Sequence, residues 1–256
     1  VPSRFVYDAI APKSPIPVQI IPLALDDKVL KPPLPDRIKF NIPIDKIVFL
    51  ITFDFYSIME RKNPISGIKA FEKLLEDDNY KDKVHLVIKV SNHHADPKGF
   101  KLMQKELMTI ESKRFTQINE VLARSDMLQL INSCDSLISL HRSEGFGLHL
   151  AEAIALEKAV IATNWSGNTE FMNIENSYPV KFEIVEIKDN LGQYRKGAHW
   201  AQPNLDSAVM HMCNIVRCLK QELRNTPISS ESIESLFVDK VAVKIVKRLN
   251  NIKIIK

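Results

Sequence analysis

The sequence predicts an α/β fold, a doubly wound parallel sheet with helices on both faces. Short β-branched apolar runs, such as residues 47–53 and 84–90, are typical of strands that are buried on both faces. Segments with helical spacing separate these runs, so that strands recur at intervals of roughly 25–35 residues. In such sheets, ligands bind beyond the carboxyl ends of the strands. The residues that follow each strand are therefore the candidates for function.

The elements are predicted in chain order from these patterns. Four buried apolar runs are predicted to be strands: residues 47–53, 84–90, 136–140 and 159–163. Six segments are predicted to be helices: residues 64–75, 99–113, 125–133, 148–156, 204–223 and 232–249, the last of which is amphipathic.

The beginning of the chain has a different composition. Nine of the 14 prolines lie in residues 1–43, and proline favours extended backbone, so this segment is predicted to be extended, with one short strand at residues 18–21. We predict a linker or lead-in at residues 1–45, one ligand-binding domain at 46–228 and a terminal helix at 229–256. Because the chain starts with Val1 and has no signal-peptide pattern, we expect it to be a piece of a longer protein.

Composition excludes several classes of protein. The net charge of +4 is mild, and no Lys/Arg run is interleaved with aromatic residues, so no nucleic-acid partner is expected. Three irregularly spaced cysteines do not form a disulfide framework or a zinc motif, which suits a reducing, cytoplasmic compartment. The longest apolar run, 47–53, is too short to cross a membrane.

The segment after the predicted strand at 136–140 is the most informative part of the chain. Gly145 and Gly147 follow Glu144, and a helix is predicted to start near Leu148. Glycines allow close backbone approach, and a helix N-terminus attracts anions, so this turn is a candidate phosphate site. Glu152 lies about one helical turn further on and could accept two hydrogen bonds from paired hydroxyls. An ordinary strand–helix turn with a solvated glutamate explains the spacing alone equally well.

The wider sequence resembles a known family. Glu144 and Glu152 match the E-x7-E motif of retaining glycosyltransferases of family 4, which have the GT-B fold. The sequence at residues 153–155, 160–163 and 166–170 is similar to the segments that follow this motif in the family. Residues 60–64 resemble its basic turn, and residues 1–3 with 20–22 resemble its interdomain linker. A subset of the family that builds bacterial surface polysaccharides, including mannosyltransferases, is the most similar.

The resemblance implies a Rossmann-like domain, the C-terminal half of a GT-B fold, that binds a nucleoside-diphosphate sugar. Glu144 would contact the hydroxyls of the donor sugar, and Glu152 would hold the ribose. Arg61 and Lys62 would neutralise the diphosphate as it leaves. The other predicted donor-binding residues are the backbone amides of Gly145, Phe146, Gly147 and Leu148, the basic residue Arg142 and, after the second predicted strand, Lys89.

The resemblance also implies partners. The donor would be GDP- or UDP-linked, and the acceptor would be a saccharide or a lipid-linked saccharide, presented by an N-terminal acceptor domain that this chain lacks. No cofactor is expected, and since the sequence contains no Asp-x-Asp, no metal is expected either. The alternative is a non-catalytic, glycosyltransferase-like scaffold. Contact of the basic terminal helix with anionic lipid at the inner face of a membrane is a minority alternative.

The sequence departs from the family at three places. Phe53-Asp54 stands where the family has Gly-Arg, so the role of that arginine could fall to Arg61. His149 replaces the usual Pro or Gly, and Glu157-Lys158 replaces a turn that contains Gly.

Overall fold

Six parallel strands form the central sheet of the computed structural model, which describes residues 1–220 and 231–254. Their order across the sheet is β3-β2-β1-β4-β5-β6, so the chain reverses its direction of winding between β1 and β4. The strands are β1 (Ile47–Asp54), β2 (Val84–Ser91), β3 (Phe115–Asn119), β4 (Ser136–Ser139), β5 (Ala159–Thr163) and β6 (Tyr178–Val180). The predicted fold class, a Rossmann-like doubly wound sheet, is confirmed.

Two hydrophobic cores cover the two faces of this sheet. Alternate residues of β1 divide between them: Phe49 and Ile51 face one core, and Val48 and Leu50 face the other. This alternation follows from the two-residue period of a strand. The helices are α1 (Arg4–Ile10), α2 (Met59–Lys62), α3 (Pro64–Leu75), α4 (Pro97–Leu107), α5 (Arg124–Ser133), α6 (Leu148–Ala155), α7 (Leu205–Lys220), α8 (Glu231–Glu234) and α9 (Val238–Ile254).

The helices are divided between the two faces. Apolar side chains of α3, α4 and α7 pack in the first core, and those of α5, α6 and α8 pack in the second. A separate antiparallel pair, β7 (Phe182–Glu186) and β8 (His199–Pro203), lies outside the main sheet. No helix in the described part of the chain is long and apolar enough to cross a membrane.

The prediction that residues 1–43 are extended is wrong for α1. Ser3 caps this helix because its hydroxyl accepts the N–H of Val6, and residues 4–10 contain no proline to interrupt the turn. Residues 18–21 do not form a strand. Within residues 1–45, Leu25 makes an isolated β-bridge, with Phe237. The lead-in also contributes to the second core, through Leu25, Val29, Phe40 and Ile42.

Two predicted helices differ in extent from the observed ones. The helix predicted at 99–113 begins at Pro97, where Asp96 accepts the N–H of Gly99, and ends at Leu107; a 3-10 turn, Ser112–Arg114, follows. The helix predicted at 232–249 is interrupted between α8 and α9, where the carbonyl of Leu236 accepts the N–H of Leu25. Residues 221–223 of the predicted helix 204–223, and the predicted domain boundary at 228, lie outside the described residues.

Candidate functional site

The candidate site lies where the winding of the sheet reverses. β1 and β4 are neighbours, and their carboxyl ends lead into α2 and into the segment that contains Glu144. Open α/β sheets bind ligands at such a point, because the connections leave on opposite faces and open a crevice between them. The topology therefore places the basic turn after β1 beside the glycine loop, which we define as residues 144–147.

The basic turn, Arg61-Lys62, is fixed to the end of β4. Asn63 ends α2 in the left-handed conformation (φ 54°), and its side-chain amide donates to the carbonyl of Leu140 at 2.8 Å. The N–H of Arg142 donates to the carbonyl of Arg61 at 2.7 Å. Both hydrogen bonds cross from the β1 connection to the β4 connection, so one side-chain and one backbone hydrogen bond join the two predicted parts of the site.

Glu144 is bound to both cations of the basic turn. Lys62 Nζ forms an ion pair with Glu144 Oε1, and Arg61 Nη1 lies 3.4 Å from Glu144 Oε2. Arg61 Nη1 also donates to the carbonyl of Ser143 at 2.9 Å. Burial is the largest effect and disfavours the charged form of Glu144, but the surrounding groups, led by the charge of Lys62, together outweigh it and lower the pKa of Glu144 to about 2. Glu144 is therefore an anion held between two cations.

The segment after β5 holds the glycine loop in place. The N–H of Glu144 donates to Ser166 Oγ at 2.7 Å, and the N–H of Gly167 donates to the carbonyl of Glu144 at 2.9 Å. A Cβ atom on Gly167 would lie 2.2 Å from the carbonyl oxygen of Gly145, so only glycine allows this approach. Ser166 has φ 78° and ψ −147°, a region that residues other than glycine seldom adopt.

Gly147 turns the glycine loop into α6. Its φ of 87° favours glycine, and its carbonyl accepts the N–H of Leu150 to begin the helix. Leu148 and His149, the first two residues of α6, line a cavity of about 360 Å³. The N-terminus of α6 therefore opens on this cavity, with the favourable potential for an anion that a helix N-terminus provides.

Glu152 lies one turn further along α6 and lines the same cavity. Glu152 is 2% exposed, and its Oε1 forms an ion pair with Arg124 Nη2. Burial raises the pKa of Glu152, and the hydrogen bond from Arg124 opposes this rise. Arg124 Nε lies 3.7 Å from Asp26 Oδ2, so the cation bridges two carboxylates.

The cavity lies beyond the carboxyl ends of β1 and β2. Its volume falls in the range of small-molecule sites, which is about 300–1,000 Å³. Four predicted site residues line it: Lys62, Lys89, Leu148 and Glu152. The other lining residues are Thr52, Phe53, Asp54, Ser57, Ser91, Arg124, Met127 and His149.

Lys89 is a buried cation at the end of β2. Its Nζ donates to Ser91 Oγ, and burial lowers its pKa. The structure therefore brings cations to the cavity from both strands that border it, through Lys62 after β1 and Lys89 on β2.

Arg142 does not line the cavity. Its guanidinium donates to Gln202 Oε1 at 2.9 Å and to the carbonyl of Glu60 at 2.7 Å, and it stacks on the ring of Trp200 at 5.1 Å. These contacts join α2 and β8 to the segment that leads into the glycine loop. The geometry favours a role for Arg142 in holding these elements together.

The side chain of Phe146 also points away from the cavity. It is buried against Phe171, with ring centroids 5.2 Å apart. Gly145 is exposed, and its carbonyl accepts the hydroxyl of Ser3 at 2.7 Å. Only the backbone amides of these two residues could serve a ligand.

His141 and Glu170 have structural partners. His141 is buried, with one ring nitrogen 3.0 Å from Ser139 Oγ and the other 3.0 Å from Asn168 Oδ1. Glu170 accepts the backbone N–H of Arg4 at 2.6 Å, so its carboxylate caps the N-terminus of α1. Among residues 1–220 and 231–254, no group of three His, Cys, Asp or Glu residues is arranged to hold a metal ion, and this includes His93 and His94.

Arg124 is a charged residue of the site that the sequence did not predict. It follows β3, a half-exposed strand at the edge of the sheet whose polar sequence hides its strand pattern. Recognition of β3 would have placed Arg124 after a strand, at the ligand edge. Asp54 could have been predicted in the same way, since it ends β1.

Solved structures with the same fold are numerous. A glycosyltransferase from Rickettsia africae matches with a TM-score of 0.72 and 16% identity over 98% of this chain and 62% of its own. A sucrose-phosphate synthase from Thermosynechococcus elongatus matches with a TM-score of 0.73 and 14% identity over 100% of this chain and 58% of its own. Anabaena HepE in complex with UDP matches with a TM-score of 0.65 and 15% identity over 91% of this chain and 57% of its own.

The chain thus spans about three fifths of the length of these solved proteins. No curated protein is similar enough in sequence to count as a match. The profile of the family described as "Glycosyl transferases group 1" matches residues 44–179, which is more than half of the chain and includes both glutamates of the motif. The chain belongs to the glycosyl transferases group 1 family, and its sheet is the Rossmann-like half of a GT-B fold.

Proposed function

We propose that this chain is the donor-binding half of a retaining glycosyltransferase of family 4 that moves a hexose from a nucleoside diphosphate to a hydroxyl of a growing glycan. The observation that carries the proposal is the cluster in which Lys62 and Arg61 hold Glu144, next to a cavity that also contains Glu152. Anabaena HepE, which has the same fold, was solved in complex with UDP, and this supports a nucleotide as the ligand of the present chain.

Each side chain has a distinct role in this proposal. The diphosphate lies against Lys62, Arg61 and the N-terminus of α6, and Glu152 accepts hydrogen bonds from the ribose. As the bond between the anomeric carbon and the diphosphate oxygen breaks, its electron pair stays on that oxygen. The oxygen of the acceptor hydroxyl bonds to the anomeric carbon, and its proton passes to the departing diphosphate. Fixed cations stabilise this developing charge because they need no reorganisation during the reaction.

The ion pairs of Glu144 suggest how donor binding frees this carboxylate. Lys62 and Arg61 both form ion pairs with Glu144. A diphosphate carries more negative charge than one carboxylate and competes for both cations. As they turn towards it, the oxygens of Glu144 become available to the hydroxyls of the donor sugar. In the ion pair, the charge of Lys62 helps to lower the pKa of Glu144 to about 2, so Glu144 is ionised at neutral pH before the exchange begins.

The proposal extends to the finer assignments. Mannose from GDP-mannose is the first candidate donor, a saccharide or lipid-linked saccharide is the acceptor, and the cytoplasm is the compartment. Transfer is proposed to be independent of metal, because Lys62 and Arg61 supply the positive charge that a divalent ion would otherwise bring. Addition of a chelator should then leave the affinity for the donor unchanged.

Calorimetric titration of the chain with UDP, GDP and their sugar conjugates tests the proposal. At least one nucleotide should bind, and Glu152→Ala should weaken it about 10- to 100-fold, as expected for loss of a charged hydrogen-bond acceptor. Glu183→Ala, at an exposed position on β7, is the matched control and should bind like the parent protein. If no nucleotide or nucleotide sugar binds, a non-catalytic scaffold replaces the proposed enzyme.

A further inference from the structure

Arg124 connects three parts of the chain at the candidate site. It begins α5, forms an ion pair with Glu152 on α6, and lies 3.7 Å from Asp26 of the lead-in. Both Arg124 and Glu152 line the cavity. The proposed function gives no role to Arg124.

Glu152 needs a cation because it is buried. An unpaired buried carboxylate takes up a proton more readily, since burial disfavours its charged form. Burial raises the pKa of Glu152, and Arg124 lowers it through both a hydrogen bond and charge. Loss of Arg124 would therefore leave a carboxyl group that is neutral over a wider range of pH.

The other charges around the cavity have their own partners. Lys62 is paired with Glu144, Lys89 donates to Ser91, and Asp54 accepts from Asn92 at 3.1 Å. His149, on the same helix as Glu152, has a pKa lowered to about 3 by burial, so it is neutral near pH 7. Among the described residues that line the cavity, Arg124 is the cation in contact with Glu152.

The ion pair leaves Glu152 able to bind a ligand. A carboxylate offers about four acceptor positions on its two oxygens, and Arg124 Nη2 contacts Oε1. The remaining positions can receive the two neighbouring hydroxyls of a ribose. Asp26 restrains the other edge of the guanidinium, which limits the directions that Arg124, and with it Glu152, can adopt.

We propose that Arg124 is a positioning residue that holds Glu152 as an oriented anion for the ribose of a nucleoside diphosphate, with Asp26 restraining Arg124. This inference rests on the proposed function, in which Glu152 binds the ribose. Arg124 acts through Glu152 and needs no contact with the ligand.

Titration of the chain with UDP and GDP at two pH values tests this role. Arg124→Met should weaken binding about tenfold near pH 7.5, and the ratio of variant to parent Kd should increase further near pH 5.5, as Glu152 becomes protonated. The terminal phosphate titrates in the same range, but this effect is common to both proteins and cancels in the ratio. Arg124→Lys, which keeps the charge, should recover most of the affinity.

Inorganic pyrophosphate separates positioning of Glu152 from general attraction of anions, because it has no ribose. Its affinity should change by less than about threefold in Arg124→Met, since the contacts to phosphate are elsewhere. Asp126→Asn is the matched control: it removes the ion pair of Lys39 with Asp126 on the same helix α5, outside the cavity lining. It should bind both ligands as the parent does.

Two results would overturn the inference. One is a ratio of Kd values for UDP or GDP that is the same at both pH values, and the other is an equal loss of affinity for pyrophosphate. Either would make Arg124 a general anion attractor or a purely structural residue. If the parent protein binds neither nucleotide, the proposed function itself fails, and the inference fails with it. If Arg124→Met alone loses nucleotide binding and still binds pyrophosphate, the result supports the inference.

Discussion

Replacement of Gly167 by alanine should separate the two loops that form the site. The added Cβ would lie 2.2 Å from the carbonyl oxygen of Gly145, 2.4 Å from its carbonyl carbon and 2.7 Å from the nitrogen of Phe146. All three are backbone atoms, so no side-chain rotation can relieve the contact. Ordinary contact needs about 3.5 Å, so the loops must move apart by about 1 Å.

The cost of this movement has two parts. Overpacking of this kind typically destabilises a protein by about 1–3 kcal/mol. The hydrogen bond from Gly167 N–H to the Glu144 carbonyl, 2.9 Å long, is also stretched, and its loss adds about 1 kcal/mol. The sum, about 2–4 kcal/mol, corresponds to a decrease in Tm of roughly 5–15 °C for a chain of this size.

Urea unfolding and thermal melts, followed by far-UV circular dichroism, measure this change. Gly145→Ala is the matched control, because the nearest atom to its added Cβ is Val6 Cγ2 at 3.9 Å. Its Tm should change by less than about 2 °C, which is within the usual range for a substitution without such a clash. Equal stability of the two variants would refute this packing of the two loops.

Three further predictions concern strain and charge. Glu157→Gly should increase the free energy of unfolding by about 0.5–1 kcal/mol in urea titrations, because Glu157 has φ 57° at the end of α6, where glycine is favoured; Glu157→Ala should leave it nearly unchanged. Burial lowers the pKa of His85 from 6.5 to about 4, so it stabilises the fold above pH 6.5 and this contribution is lost as pH falls towards 4; His85→Gln should show a weaker dependence of stability on pH over this interval. Glu144, whose pKa is lowered from 4.5 to about 2, stabilises the fold above pH 4.5, and this contribution is lost as pH falls towards 2. Lys62→Met should reduce that loss in acid unfolding and should also weaken pyrophosphate binding. An unchanged acid unfolding profile would contradict the ion pair.

The sequence predicted the strands that are buried on both faces and missed those at the edges. β1, β2, β4 and β5 consist mostly of buried residues, and each was predicted to within one residue at either end. Strand β3 escaped prediction because it pairs on one side only and carries polar residues. Consequently, the predicted third strand is the fourth in the structure. α1 was missed because the high proline content concealed a short stretch that contains none.

The sequence predicted only those site residues that belong to a recognisable motif. The spacing of Glu144 and Glu152 and the basic pair Arg61-Lys62 are visible in the sequence, and the structure brings them to one edge of the sheet. The contact of Arg124 with Glu152 joins residues 28 positions apart through tertiary packing, so no local pattern reveals it. Arg142 was expected near a ligand, but its guanidinium is directed to Trp200, a partner 58 residues later in the chain.

The contacts of the lead-in affect how this chain can fold as it is synthesised. Leu25 is fully buried, and its N–H donates to the carbonyl of Leu236 at 2.8 Å. The ribosome makes about 5–20 residues each second, so the first part of the chain must wait roughly 10–40 s for this partner. During that time Leu25 lacks this partner, and the second core lacks Ile233 and Leu236. A chaperone that shields the emerging lead-in should therefore raise the yield of folded protein more than one that acts after release.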